Sequence, residues 1–322
     1  MRADPPHKRC SVQHRPDRRD SLPYPERGDP TISPPQYDSP AGRVVLVTGA
    51  TSGLGLGIAG RLAAAGTITV VHGPDSETVA AARAELATRH PESRVHGAVA
   101  DFSSQNEVRA LAADIQDRFD SIDVLVSNAA AVFDRWSTNG DGIELTFAVN
   151  HIAPYLLSRL LLPALERSGR GRIVIVGSEA HRRATWDPDG LGSSDPYERF
   201  EAYAHSKLAN LLFNAELARR LDRRSVTTNA AHPGTVRTAL FKPRHFGERI
   251  VMPIINLRGV TPEAGAKGIV WLANSPIVEG ETGGYYHRGS RVEPSAQAAD
   301  EQNGFELWKL SAELTDLPED LD

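Results

Sequence analysis

Two unbroken apolar runs, Val44-Val45-Leu46-Val47 and Ile173-Val174-Ile175-Val176, constrain the fold more than any other feature of the chain. A strand with one wet face alternates apolar and polar residues, so runs without alternation belong to strands covered on both faces, as in a parallel sheet wrapped by helices. From Arg43 onward, short β-branched runs alternate with alanine- and leucine-rich stretches at helical spacing, the pattern of repeated βαβ units. Strands are expected at 44–48, 67–72, 95–100, 122–127, 172–177, 226–232 and 284–287. Seven strands predict a single doubly wound α/β domain over residues 42–322, its parallel sheet flanked by helices.

Residues 1–41 have a different texture, with nine prolines set among charged side chains. Such a segment cannot bury enough apolar surface to offset its ordering entropy and is expected to be a disordered tail. A proline-rich recognition peptide or a misplaced translation start are the alternatives for it. The net charge of -5 gives no basic footprint for nucleic acid. Cys10 is the only cysteine, which excludes an intramolecular disulfide and a multi-cysteine metal site. No uncharged run reads as a membrane span, and the N-terminus lacks the apolar middle of a secretory leader, so a cytoplasmic protein is expected.

The first strand runs into Thr48-Gly49-Ala50-Thr51-Ser52-Gly53-Leu54-Gly55 and then into a helix. Glycines here let the backbone turn tightly and approach a ligand, while the helix N-terminus offers free N–H groups to a phosphate. A glycine cluster can also be a plain tight turn. Its position directly after the first strand of a βαβ unit decides for a pyrophosphate cradle.

Tyr203 and Lys207 lie four apart in a stretch of helical periodicity, 199–221, and so share one helix face. A phenol of ordinary pKa near 10 transfers protons poorly at neutral pH unless a neighbouring cation favours its anion. The same pair is common on solvated helices, and its place after a serine-bearing strand is what gives it meaning. That serine, Ser178, stands just beyond the strand at 172–177, where open parallel sheets bind ligands; capping the next segment is its ordinary alternative role. Asn150 sits in an apolar helical stretch, 143–165, where an amide must be satisfied, whether for function or as a helix-bending residue. His181, His205 and His232 show no H-x-x-x-H spacing and are expected to be packed or surface histidines; no metal site is expected.

Five ordered motifs then resemble the short-chain dehydrogenase/reductase superfamily over residues 42–317. After the glycine turn they are S-N-A-A at 127–130, the segment leading to Asn150, G-S-E-A-H with Ser178, Y-A-H-S-K at 203–207 and H-P-G-T-V-R-T at 232–238. The long gap between Ser178 and Tyr203 and the ending R-V-E-P-S-A-Q-A-A-D-E are similar to the retinol dehydrogenase and WW-domain oxidoreductase branch. The resemblance implies a Rossmann domain that binds a nicotinamide cofactor. Thr48, Gly49, Ser52, Gly53, Leu54 and Gly55 would surround the pyrophosphate, and Asp101 and Phe102 would border the adenine. Asn128, with Ala129 and Ala130, would lie beside the cofactor, and Pro233, Gly234 and Thr238 would meet the nicotinamide. Asn150, Ser178, Tyr203 and Lys207 would be catalytic, with Asn150 anchoring a water that links Lys207 to solvent and Lys207 also binding the nicotinamide ribose. Ala130 replaces the final glycine of the family's motif, at a cost of roughly 1 kcal/mol if the backbone there is left-handed.

Cofactor choice turns on the end of the second strand, where a carboxylate would repel a 2′-phosphate and an arginine would welcome it. Gly73 and Pro74 occupy those positions, with Asp75 nearby. The missing repulsion slightly favours NADP(H) over NAD(H). The apolar segment 239–259 is expected either to cover a lipophilic carbonyl or alcohol substrate or to pack a helix pair. A cofactor-binding regulatory protein without turnover and a carbon–carbon double-bond reductase of the protochlorophyllide reductase type are the other functions weighed. The resemblance allows a homodimer, paired through the helices of Asn150 and Tyr203, or a monomer.

Overall fold

The computed structural model describes residues 41–188, 197–221, 224–236 and 259–321. The proline-rich segment up to residue 40, Thr238 and all of 239–259 except Gly259 lie outside the described residues.

All seven anticipated strands form, and each ends within two residues of its expected limits: β1 (Val44–Val47), β2 (Ile68–Gly73), β3 (Arg94–Val99), β4 (Val124–Ser127), β5 (Gly171–Val176), β6 (Val226–His232) and β7 (Tyr285–His287). An eighth, β8 (Ser290–Arg291), adds an antiparallel edge beside β7. The spatial order β3-β2-β1-β4-β5-β6-β7-β8 reverses direction between β1 and β4, so a crevice opens there at the carboxyl ends of the strands.

The unbroken apolar runs serve both faces, because successive side chains point to opposite sides of a sheet. Leu46, Leu125, Ile173 and Ile175 pack on one side with α3 (Gln105–Arg118), α4 (Leu145–Arg167), α5 (Arg199–Arg220) and α7 (Glu301–Thr315). Val45, Val47, Val126, Val174 and Val176 pack on the other with α1 (Gly53–Ala64), α2 (Ser76–Arg89) and α6 (Pro262–Asn274). Helix α4 is long and apolar enough to cross a membrane by length and composition alone, although Arg159 interrupts it and it is no uncharged run. Of its apolar window, 78% is buried inside the fold.

Helix α4 is not uniform. Ala148–Ile152 form a π-helical turn between two α-helical parts. Its start is fixed by the buried Glu144, whose carboxylate accepts from the N–H groups of Thr146 (2.9 Å) and Phe147 (2.7 Å) and from the Tyr197 hydroxyl (3.0 Å).

Candidate active site

At the crevice between β1 and β4 lies a cleft of about 1270 Å³, larger than the ~300–1,000 Å³ usual for one small ligand and thus roomy enough for two. The glycine turn forms one end. Gly49 has φ +59, and a Cβ on it would stand 2.7 Å from Ala129 Cα, so only glycine closes this turn. The Asn128 amide donates to the carbonyls of Thr48 (2.8 Å) and Gly49 (3.0 Å), tying β4 to the turn. Gly53 faces open space, and the first turn of α1 carries neither an acidic residue nor a side-chain cap at Ser52. In contrast, α2, α3, α6 and α7 are capped by Asp75, Ser104, Thr261 and Asp300. The open N–H groups of α1 on the cleft floor therefore fit the phosphates of a dinucleotide.

Gly49, Ser52, Gly53, Leu54, Gly55, Asp101, Phe102, Asn128, Ala129, Ala130, Pro233 and Gly234 all line the cleft. Thr48 does not. It is buried, its hydroxyl donating to Val126 O (3.3 Å) and accepting from the N–H groups of Asn128 (2.9 Å) and Ala129 (3.0 Å). Thr48 thus braces the cleft from behind. Ala130 carries no left-handed strain, since Arg288 and Asp316 are the only non-glycine residues with positive φ among those described. Just past β2, Asp75 is not among the residues that line the cleft, and its carboxylate accepts from Thr78 N–H (2.8 Å) and Thr78 Oγ1 (2.9 Å).

The other end of the cleft holds Ser178, Tyr203 and Lys207. Ser178 follows β5 and does two things. Its hydroxyl accepts from Ala180 N–H (3.2 Å), the ordinary cap, and it also hydrogen-bonds the Tyr203 phenol. Burial pushes the Tyr203 phenol above its usual range, and the bond to Ser178 only partly offsets this. Lys207, one turn on, is buried; its ammonium donates to Val176 O (3.0 Å) and lies 5.6 Å from the centre of the Tyr203 ring. Desolvation draws it down to about 8.

Asn150 lies in the π-helical turn and does not line the cleft. Its amide oxygen accepts from Ala131 N–H (2.7 Å), and its amide nitrogen donates to Ala131 O (3.0 Å) and Ser206 Oγ (3.0 Å). It joins the strand-end segment that follows Ala130 to the turn of α5 that carries Tyr203.

Several cleft residues were invisible to motif reasoning. Phe133, Leu145, Val149 and Phe200 give the cleft an apolar wall, the Phe200 ring lying 6.5 Å from that of Tyr203 with Arg183 stacked 5.2 Å over it. Glu179 accepts from the Tyr285 hydroxyl (2.9 Å), and His232, whose Nδ1 accepts from Gly234 N–H (3.0 Å), presents Nε2 at 3.6 Å from that carboxylate. His72 lines the cleft as well. His181 is packed, its Nδ1 donating to Ser178 O (2.7 Å) and its Nε2 accepting from Ser295 N–H (3.1 Å).

Burial keeps three imidazoles neutral, lowering His72 to about 4, His151 to about 3 and His232 to about 4. The unfolded chain takes up those protons first, near pH 6.5, so stability is full above that value and declines as the pH falls toward 4. The expected loss at pH 5 is roughly 2 kcal/mol for each imidazole. Urea denaturation at pH 7 and pH 5 measures it, and coincident midpoints would refute the buried-neutral assignment.

The short chain dehydrogenase family model matches residues 43–248. Human retinol dehydrogenase 14 is 36% identical over 293 residues, covering 86% of this chain and 87% of that protein. Mouse polyprenol dehydrogenase is 38% identical over 302 residues, covering 90% and 88%. A crystal structure of an uncharacterized protein from Mycobacterium paratuberculosis superposes with a TM-score of 0.70 at 29% identity, covering 88% of this chain and 96% of that one.

Proposed function

The chain belongs to the short chain dehydrogenase family and is an oxidoreductase of CH–OH and C=O groups; from that premise we propose that it exchanges hydride between NADP(H) and the carbonyl or alcohol carbon of a lipophilic small molecule, with Tyr203 as general acid and base. The observation that carries this reading is the convergence of Ser178, Tyr203 and Lys207 on one wall of a cleft whose far end is an uncapped, glycine-lined helix N-terminus.

The bound nicotinamide supplies or accepts the hydride. The chain does the rest. Ser178 and Tyr203 offer two hydroxyl donors to the substrate oxygen, which favour the charge that builds there in reduction over the uncharged ketone. Burial keeps Tyr203 a neutral phenol, the form that donates a proton. Lys207, held at Val176 O, supplies the positive charge that steadies the phenolate left behind. That support fades as the pH rises past about 8.

Two features bear on the phosphorylated cofactor. The Asp75 carboxylate caps α2 outside the cleft lining and keeps its negative charge there. A side chain at Gly73 would begin 2.3 Å from Thr51 Cγ2, so the position where a discriminating carboxylate would stand is closed by packing. The apolar wall and the lipophilic alcohols named for two relatives support the substrate class.

The test is spectroscopic turnover of NADPH and NADH against lipophilic aldehydes, ketones and enones, with products identified by mass. Alcohol products, and a higher kcat/KM with NADPH than with NADH, are expected. Cofactor binding without oxidation across the panel would instead establish a regulatory protein, and saturated ketones formed from enones a double-bond reductase.

A further inference from the structure

The His72 side chain bridges two backbone segments that border the cleft. Its Nδ1 accepts from Gly49 N–H (3.2 Å) in the glycine turn, and its Nε2 lies 3.0 Å from Ala100 O beyond β3. Since Gly49 offers a donor and Ala100 an acceptor, both bonds form only in the neutral tautomer with the proton on Nε2. The ring stacks on Phe102 at 4.3 Å, and its own carbonyl accepts from Ala50 N–H (2.8 Å). Gly49 is therefore gripped on both sides, its N–H by His72 and its carbonyl by Asn128. An alanine or valine at position 72 would continue the apolar strand equally well, but it would leave Gly49 N–H and Ala100 O without these partners and Phe102 without its neighbour.

We infer that His72 is a positioning residue of the dinucleotide site, a neutral imidazole that sets the distance between the phosphate-binding turn and the aromatic wall at the adenosine end. The inference rests on the reading of this cleft as a dinucleotide site. It touches no reacting atom, so its effect falls on cofactor affinity and not on turnover.

The experiment compares wild type, His72→Ala and His72→Asn by fluorescence titration with NADPH, 2′,5′-ADP and nicotinamide mononucleotide, alongside kcat at saturating cofactor and the melting temperature of the free protein. For His72→Ala, the dissociation constants of NADPH and 2′,5′-ADP are expected to rise by at least about tenfold, with that of the mononucleotide and kcat within about twofold. His72→Asn, which retains an acceptor for Gly49 N–H, is expected to recover part of the loss. A purely structural role would lower the melting temperature without separating the two cofactor halves. If the alanine variant does not fold, His72→Asn decides, and wild-type affinity for 2′,5′-ADP together with a weakened mononucleotide overturns the assignment. Unchanged NADPH affinity in a folded variant overturns this role alone, whereas a wild-type protein that binds neither dinucleotide overturns the reading of the cleft with it.

Discussion

Tyr203→Phe is expected to lower kcat by at least about a hundredfold while leaving the cofactor dissociation constant within about twofold. The substitution removes one oxygen and nothing else. The ring stays buried, so the Lys207 ammonium keeps its place 5.6 Å from the ring centre and its bond to Val176 O. Ser178 keeps its backbone partner and can still hold the substrate oxygen. Under the proposed mechanism, what disappears is the hydroxyl whose proton passes to the substrate oxygen as hydride arrives. Stopped-flow reduction separates this from slow product release, and a folded phenylalanine variant with wild-type turnover would remove Tyr203 from the chemistry.

Gly55→Ala should abolish high-affinity cofactor binding, raising the dissociation constant by at least about a hundredfold, and should lower stability by roughly 2–4 kcal/mol. A methyl group at this position would lie 2.1 Å from Gly49 O, 2.5 Å from Asn128 Nδ2 and 2.9 Å from Ala50 Cα. Two of those atoms are backbone and the third is the amide that clasps the turn, so no flexible end can yield. The helix must move off the turn, or Asn128 must release the carbonyls of Thr48 and Gly49. Gly53→Ala is the control for stability alone, because its Cβ would meet no protein atom within 4 Å and its φ of +53 costs about 1 kcal/mol, while the new methyl would still face the cleft. Isothermal titration and urea denaturation of both variants give the comparison, and near-wild-type affinity in Gly55→Ala would mean that the turn is far more pliant than its packing implies.

The strands were legible because short β-branched runs alternate with longer stretches of helical spacing, a rhythm that marks even β3, which is only partly covered. The two-residue β8 is too short to carry one. Motif spacing likewise located the glycine turn, Ser178, Tyr203 and Lys207. What it could not distinguish is a side chain that faces the ligand from one that holds the residue that does. Thr48 and Asn150 stand inside ligand-associated motifs, yet their polar atoms are taken up by neighbouring segments, those of Asn150 by the Ala131 backbone and the Ser206 hydroxyl. His72 is the reverse case, a histidine closing an apolar strand, which in sequence looks like any packed imidazole. The expectation that Lys207 would make Tyr203 acidic also needed coordinates to weigh. Burial outweighs every favourable contact of the phenol in the protein alone and leaves it protonated.

The π-helical turn of α4 gives that helix two angular phases. An extra residue in one turn rotates everything upstream by about 100° relative to an even α-helix. The upstream part can therefore turn Leu145 toward the cleft, with Val149 lining it from the wide turn itself, while the downstream part commits Tyr155, Leu156 and Leu157 to the interior. Deleting one residue between Ala148 and Ile152 would restore regular pitch and swing Asn150 off Ala131, unhooking the end of β4 from the helix that carries the phenol. The irregular pitch is what lets a single rod hold up the sheet and wall the cleft together.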